Sequence, residues 1–276
     1  MLLGSIGVLA LVLAVVRCLT IGLTAVQMYM LFALNFVVYY IELFVAAFFF
    51  LVAVSYVVDP TKEQEKDSPF YRWVIALYVE VLIQLLRVRI HATGLEKTPK
   101  EGRFLLVCNH QFVADPGILL HCFRGSQLAF ISKQENQKLF CIGRLMRKIL
   151  CQPIDREDDR QALKVILKCI RILKEDKASI AVFPEGATNH DEFLYPFRPG
   201  VFKIAQKAEV PIVVCTIQNT RPIIKNGLWL KKTDVQLHLL DVIRPEDIRG
   251  KTTVEVAALV HQMMADDLGP DLVAKI

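Results

Sequence analysis

With 276 residues, a formal net charge of +5 and no dense basic run, the chain has room for one ordinary domain plus an appendage, and its charge argues against a nucleic-acid partner. Hydrophobic residues make up 54% of it and the mean hydropathy is +0.39, high for a soluble protein, with the excess concentrated at one end. Seven cysteines, an odd number without a CxxC pair, argue against a disulfide framework and a zinc site and read as reduced thiols.

From Met1 to Val58 the only charged side chains are Arg17 and Glu42. As helix this stretch would be about 87 Å long, whereas one span needs about 20 residues, so two membrane-embedded helices are expected, over 2–27 and 31–58. A cleaved signal peptide fits poorly, because no basic residue precedes the apolar run and the run is too long. A reversal near Tyr29 would bring Arg17 and Glu42 to similar depth as a pair. Residues 59–69, "DPTKEQEKDSP", read as a linker, and residues 70–276 as the domain. Linker and domain together, residues 59–276, carry the whole net charge of +5, which points to anionic headgroups or a phosphorylated substrate. Lys62, Lys66 and the later basic residues favour its placement on the cytoplasmic side of the membrane.

The domain opens with an apolar helix, "FYRWVIALYVEVLIQLL", and then "RVRIHATGLEK", a strand ending at Gly94. "RFLLVC" is a short buried strand. "KLFCIGRLMRKIL", residues 138–150, is amphipathic: Leu139, Ile142, Leu145, Met146, Ile149 and Leu150 fall within an arc of about 140°, opposite Arg144, Arg147 and Lys148. It reads either as a helix dipping into a membrane surface or as one packed on the core. "DDRQALKVILKCIRILKED" places Leu163, Ile166, Ile170 and Leu173 at helical spacing. "ASIAVFPEG" is a buried strand entering a turn, "PGVFKIAQKAE" a helix, and "VPIVVCTI" and "VQLHLLDVI" strands. This alternation predicts an α/β fold, a mixed sheet covered by helices, behind an N-terminal membrane-embedded helix pair.

"CNHQFVADPG", residues 108–117, carries the chemistry. His110 and Asp115 are five residues apart, which separates them by about 140° on a helix and puts them on opposite faces of a strand, so the chain must bend if they act together. Asp115 is a candidate N-cap and Pro116 a first helical residue, which supplies the bend. Folded back beneath His110, the carboxylate would accept from one imidazole nitrogen and leave the other to take a proton from a hydroxyl. Alone, the pair reads equally well as a helix cap beside a loop histidine. "FPEGATNH", residues 183–190, makes a tight turn whose backbone N–H groups can face a ligand, with Glu185 supplying a carboxylate; "CQPIDRED" places Arg156 just after a strand.

Taken together and in order, four segments resemble the glycerolipid acyltransferase family, in which the 1-acylglycerol-3-phosphate acyltransferases are found. They are Asn109, His110 and Asp115 (the HX4D motif); Ile154, Asp155 and Arg156; Phe183, Pro184, Glu185 and Gly186; and Val210, Pro211 and Ile212. The resemblance covers about residues 88–243. It implies transfer of an acyl group from a thioester, acyl-CoA or acyl-ACP, to a lysophospholipid hydroxyl, with no metal and no cofactor beyond that co-substrate. Its partners would be the bilayer and, for an acyl-ACP donor, acyl carrier protein.

In this family's terms His110 is the general base and Asp115 fixes its tautomer. Arg156 would bind the acceptor phosphate, with Lys133 and Arg198 as further candidates, and Glu185 would hold the glycerol. Backbone N–H groups of the Gly186 turn would stabilise charge on the thioester oxygen. Cys108, close by, reads as a core thiol rather than a nucleophile. One departure stands out: phosphatidate-forming members typically read "EGTR", whereas this chain reads "EGAT" and then Asn189, so Thr188 replaces a basic residue. The preferred acceptor is 1-acylglycerol-3-phosphate. The alternatives are reacylation of lysophosphatidylcholine or lysophosphatidylethanolamine, and a catalytically silent lipid-binding scaffold.

Overall fold

Long apolar runs at the start of the chain and short β-branched runs beyond it build different objects. The computed structural model describes residues 2–19, 25–60, 62–155, 157–186 and 192–274. They fall into two compact units, Met1–Asp59 and Pro60–Ile276.

The first unit is helix α1 (Leu2–Leu19) packed against α2 (Ala25–Tyr56). The face of α1 turned inward repeats every four residues, Ile6, Ala10, Ala14 and Cys18, and its small side chains allow close approach. Val8, Val12 and Val16 point outward. By length and composition both helices are apolar enough to cross a membrane. Tyr29, expected at the reversal, lies inside α2, because nothing around it breaks a helix. Arg17 Nη1 donates to the Tyr39 hydroxyl at 3.3 Å, three residues along α2 from Glu42.

The second unit runs α3 (Pro69–Leu85), β1 (Val88–Thr93), β2 (Leu105–Cys108), α4 (Asp115–Cys122), β3 (Leu128–Lys133), α5 (Ile142–Lys148), β4 (Gln152–Ile154), α6 (Asp159–Lys174), β5 (Ser179–Val182), α7 (Lys203–Ala208), β6 (Ile212–Gln218), α8 (Ile223–Leu228), β7 (Thr233–Ile243) and α9 (Thr253–Leu268). The strands form one mixed sheet in the order β1-β7-β6-β2-β5-β3-β4. Strands β6, β2, β5, β3 and β4 are mutually parallel; β7 is antiparallel to β6, and β1 follows β7.

Every residue of β2 is buried, as expected of a central parallel strand covered on both faces. Leu105 and Val107 pack with residues of α6, α7 and α9, and Leu106 and Cys108 with residues of α4. Helices on both faces of a sheet are thus the outcome of period-2 alternation in an all-apolar strand. Gly94 ends β1 at φ +75, where a Cβ would lie 2.2 Å from the Leu239 carbonyl oxygen, so glycine is required there.

Two helices depart from expectation. The amphipathic stretch 138–150 is helical only over Ile142–Lys148: Cys141 takes φ +58, and Gly143 rests against the Gln137 backbone. Its apolar residues are therefore divided. Leu145, Ile149 and Leu150 are buried, while Leu139, Phe140 and Ile142 face outward. On α6 the buried stripe is Val165, Cys169, Ile172 and Leu173, and Leu163 is exposed. The apolar residues of α6 cover more than one face, so spacing identified the helix but not the centre of its inner face.

The segment before α3 is held to this unit by polar contacts. Glu63 pairs with Lys168 of α6 at 2.5 Å, Gln64 accepts from Lys148 at 2.9 Å, and the Ser68 N–H donates to the Lys148 carbonyl. Arg72 fastens α3 to the sheet: its Nε donates to Asp67 at 2.6 Å, while its Nη atoms donate to the carbonyls of Leu128 at 2.8 Å and Gln127 at 3.0 Å. Arg72→Ala leaves a half-buried carboxylate and two carbonyls without their donor and is expected to cost on the order of 2–4 kcal/mol. The check is thermal unfolding of the detergent-solubilised chain, with Arg72→Lys recovering only part because it lacks the guanidinium fork.

Candidate active site

The carboxyl ends of the parallel strands are where an open α/β sheet leaves a crevice for ligands. Here β2, β5 and β3 deliver His110, Glu185 and Lys133 to one edge. The chain bends after β2, as the spacing required, and Asp115 returns beneath His110. Asp115 itself opens α4, with Ala114 in the N-cap position, so its expected capping role is replaced by another. Its carboxylate turns back to the preceding loop, where Oδ2 accepts from His110 Nδ1, the Gln111 N–H and the Phe112 N–H, each at 2.8 Å.

Asp115 is fully buried, whereas the His110 side chain keeps 14% exposure. A carboxylate only accepts, so Nδ1 carries the hydrogen and Nε2 presents its lone pair. The imidazole is also held by its face. Phe183, the last residue before Pro184, stacks on it with centroids 4.1 Å apart and planes at 18°, and Phe130 of β3 stacks beyond Phe183 at 6.1 Å.

Asn109 of the first segment and Glu185, expected to hold the glycerol, are engaged by backbone. Asn109 is buried; its Nδ2 donates to the Ile217 carbonyl at 2.9 Å and its Oδ1 accepts the Ile217 N–H at 2.7 Å, which extends the β2–β6 pairing by one residue. Glu185 Oε1 accepts the His110 N–H at 2.8 Å and Oε2 the Tyr195 N–H at 3.1 Å. The carboxylate thus ties the histidine turn to the loop returning after β5.

Gly186 takes φ +79, and a Cβ there would lie 2.6 Å from Arg198 Nε. Its N–H donates to the Phe183 carbonyl at 3.1 Å, which removes that group from the expected set of oxyanion donors. Arg198 lies over this turn with its own N–H on the Pro184 carbonyl at 2.8 Å, and its side chain is exposed. Lys133 ends β3, two strands from β2, and pairs with Glu135 at 3.0 Å on the surface. Arg156, Thr188 and Asn189 lie outside the described residues.

Cys108 is fully buried, and burial is the chief influence that pushes its thiol well above the ordinary value. A thiol kept protonated in the core is a packing group, in line with the reading from sequence. Phe183 is named in the sequence only as the start of the third segment, and its role as stacking partner comes from the structure. Its signal was an aromatic at the mouth of a strand that pairs with the histidine's own strand.

A sheet of this order with a carboxylate-held histidine at its carboxyl edge leaves an imidazole nitrogen able to accept a proton from a hydroxyl or water. Residues 89–218 match the family model described as Acyltransferase. The chain is 31% identical over 159 residues to a chloroplastic 1-acyl-sn-glycerol-3-phosphate acyltransferase of Brassica napus, covering 57% of this chain and 45% of that one. It is 25% identical over 202 residues to the 1-acyl-sn-glycerol-3-phosphate acyltransferase of Saccharomyces cerevisiae, covering 71% and 66%. The chain spans under half the length of the chloroplastic relatives it matches. The fold is that of the crystal structure of the 1-acyl-sn-glycerophosphate (LPA) acyltransferase PlsC from Thermotoga maritima, with a TM-score of 0.60 at 22% identity over 79% of this chain and 86% of that one.

Removing the aromatic face under His110 is expected to lower turnover without unfolding the chain. An aromatic pair is worth about 0.5–1.5 kcal/mol, so Phe183→Leu should reduce kcat by roughly 2- to 10-fold. Circular dichroism should be unchanged and the reduction should appear in single-turnover kinetics.

Proposed function

We propose that this chain transfers a fatty acyl group from acyl-CoA or acyl-ACP to the sn-2 hydroxyl of 1-acylglycerol-3-phosphate, giving phosphatidic acid. The observation that carries the reading is the buried Asp115 on His110 Nδ1, which leaves Nε2 as a base at a sheet edge. The printed names of the relatives support the choice of acceptor.

In this reading Nε2 takes the proton of the acceptor hydroxyl as its oxygen attacks the thioester carbonyl carbon. The new C–O bond forms, the C–S bond breaks, and the thiol leaves with the proton returned from Nε2. No acyl-enzyme is needed. Asp115 fixes the tautomer and stabilises the imidazolium; Phe183 and Glu185 position the ring and its loop. Asn109 acts through the strand end it fastens, and Glu185 is assigned to the loop rather than to the glycerol.

The acceptor phosphate is assigned to Arg198, whose guanidinium crosses the Gly186 turn, with Lys133 at the same edge and Arg156, outside the described residues, as further candidates. That placement supplies the positive charge which Thr188 does not. Thr188 and Asn189 would contact the acceptor from the same loop. Thr188 also favours the second reading, reacylation of lysophosphatidylcholine or lysophosphatidylethanolamine. The catalytic unit is placed on the cytoplasmic side, beside a bilayer in which α1 and α2 are embedded.

The deciding experiment is mass spectrometry of products from the purified chain in mixed micelles with acyl-CoA, acyl-ACP and a panel of lysolipids. Selective formation of phosphatidic acid is expected, and His110→Ala should lower turnover by at least ~10²-fold while the protein stays folded. Selective acylation of a choline or ethanolamine acceptor would replace the primary reading; activity of His110→Ala within severalfold of wild type would remove the general base.

Arg198→Ala is expected to raise the apparent KM for the lysolipid roughly tenfold, the loss of one charge-assisted phosphate contact, with little change in kcat. A change confined to the acyl donor would contradict the phosphate role.

A further inference from the structure

Large apolar side chains stand in water on the second unit where α3 ends and α8 ends. Gly227 of α8 rests directly on Leu86: a Cβ there would lie 2.7 Å from Leu86 Cδ2 and 3.0 Å from its Cα. Near this contact Leu82 and Leu85 toward the end of α3 are exposed, as are Ile224, Leu228, Trp229 and Leu230 in and after α8, the last three above 70%. Five cations, Arg87, Arg221, Lys225, Lys231 and Lys232, are exposed around them. No acidic residue occurs from Arg221 to Thr233, and the next one, Asp234, is already engaged by His91 at 2.8 Å and Arg89 at 4.0 Å.

The apolar tip is held in place by its backbone. The Trp229 N–H donates to the Asn226 carbonyl at 3.1 Å, the Leu230 N–H to Gly227 at 3.0 Å and the Lys231 N–H to Asn226 at 2.8 Å. Leu230 adopts φ +55, a conformation that a branched residue rarely takes.

The position of this surface matters. Because β7 is antiparallel to β6, their connection, which contains α8, lies at the carboxyl end of β6. Val88 at the start of β1 pairs with Thr233 at the start of β7, so the end of α3 is at that same edge. It is the edge at which His110 leaves β2, which is parallel to β6.

We propose that this surface is a second membrane contact, independent of α1 and α2: Leu228, Trp229 and Leu230, with Leu82 and Leu85, enter the interfacial layer of a bilayer containing anionic lipid. The five cations rest on its headgroups. An exposed tryptophan between leucines, inside a ring of lysine and arginine, matches the interface, where amphipathic rings settle at headgroup depth and each nearby cation is attracted by anionic lipid. Docking by this patch turns the carboxyl edge of the sheet, and His110 with it, toward the layer in which a lysolipid resides.

The chain has two tryptophans, so Trp73→Phe leaves Trp229 as its only indole. The full chain is reconstituted into vesicles of phosphatidylcholine and phosphatidylglycerol, with or without bromine on the upper acyl chains, and flotation confirms that every variant is lipid-bound. Trp229 emission should shift to shorter wavelength and be quenched by the brominated lipid. Both effects should be lost when Lys225, Lys231 and Lys232 are changed to Glu. Should Trp73→Phe not fold, Trp73→Tyr serves the same purpose. Emission at the wavelength of water-exposed indole, unaffected by bromine, would overturn the proposal, as would a protein partner covering the patch in place of lipid. Quenching that is equal in vesicles of phosphatidylcholine alone would overturn the headgroup part.

Discussion

One carboxylate oxygen organises the functional edge of this protein. Asp115 Oδ2 receives the His110 ring N–H and two successive backbone N–H groups, and it does so in a site closed to water. A carboxylate buried there is tolerable only because the donors on Oδ2 replace hydration. The same bonds that hold the carboxylate therefore also fix the path of the chain between β2 and α4. Catalytic geometry and local folding are consequences of a single arrangement, so the loop cannot relax without releasing the histidine.

Around that oxygen, polar side chains connect strands rather than wait for ligand. Asn109 completes a rung between β2 and β6, and Glu185 joins the turn after β2 to the loop after β5. Buried amides and carboxylates occupied in this way rigidify their surroundings, because leaving any partner unpaired would be costly. The imidazole then has a carboxylate at one nitrogen, an aromatic face beneath it and one nitrogen left over. Preorganisation of this kind suits a reaction in which a base must meet a hydroxyl already held in place.

The substrate proposed for this base partitions into membrane, which gives meaning to the distribution of apolar surface. The first unit is apolar on its outer faces, and the second carries a compact leucine and tryptophan surface ringed with cations at the edge of its sheet. One is suited to residence in lipid and the other to contact with its surface. The proposed reaction, between a lipid hydroxyl and a thioester arriving from water, would be served by a catalytic edge at the boundary between the two phases.

Much of this was written in local sequence. The unbroken run to Val58, the all-apolar β2 and the alternation in β7 follow from how many faces of an element meet apolar surroundings, and that depends on composition and period alone. The bend between His110 and Asp115 was legible because neither regular element permits their pairing. Strand β3 and helices α8 and α9 were not read from sequence, and the inner face of α6 was not located by it, because short or broadly apolar segments have weak periodicity. What only the tertiary structure decided are contacts between distant parts of the chain: Glu185 with a backbone group 75 residues away, Asn109 with one 108 away, and the meeting of α3 with α8 through Gly227. The sequence by itself determined which residue types were present and how each segment would fold. Whether a carboxylate faces a ligand or a neighbouring N–H was decided by the sheet order, because that order sets which strand ends lie within hydrogen-bonding reach.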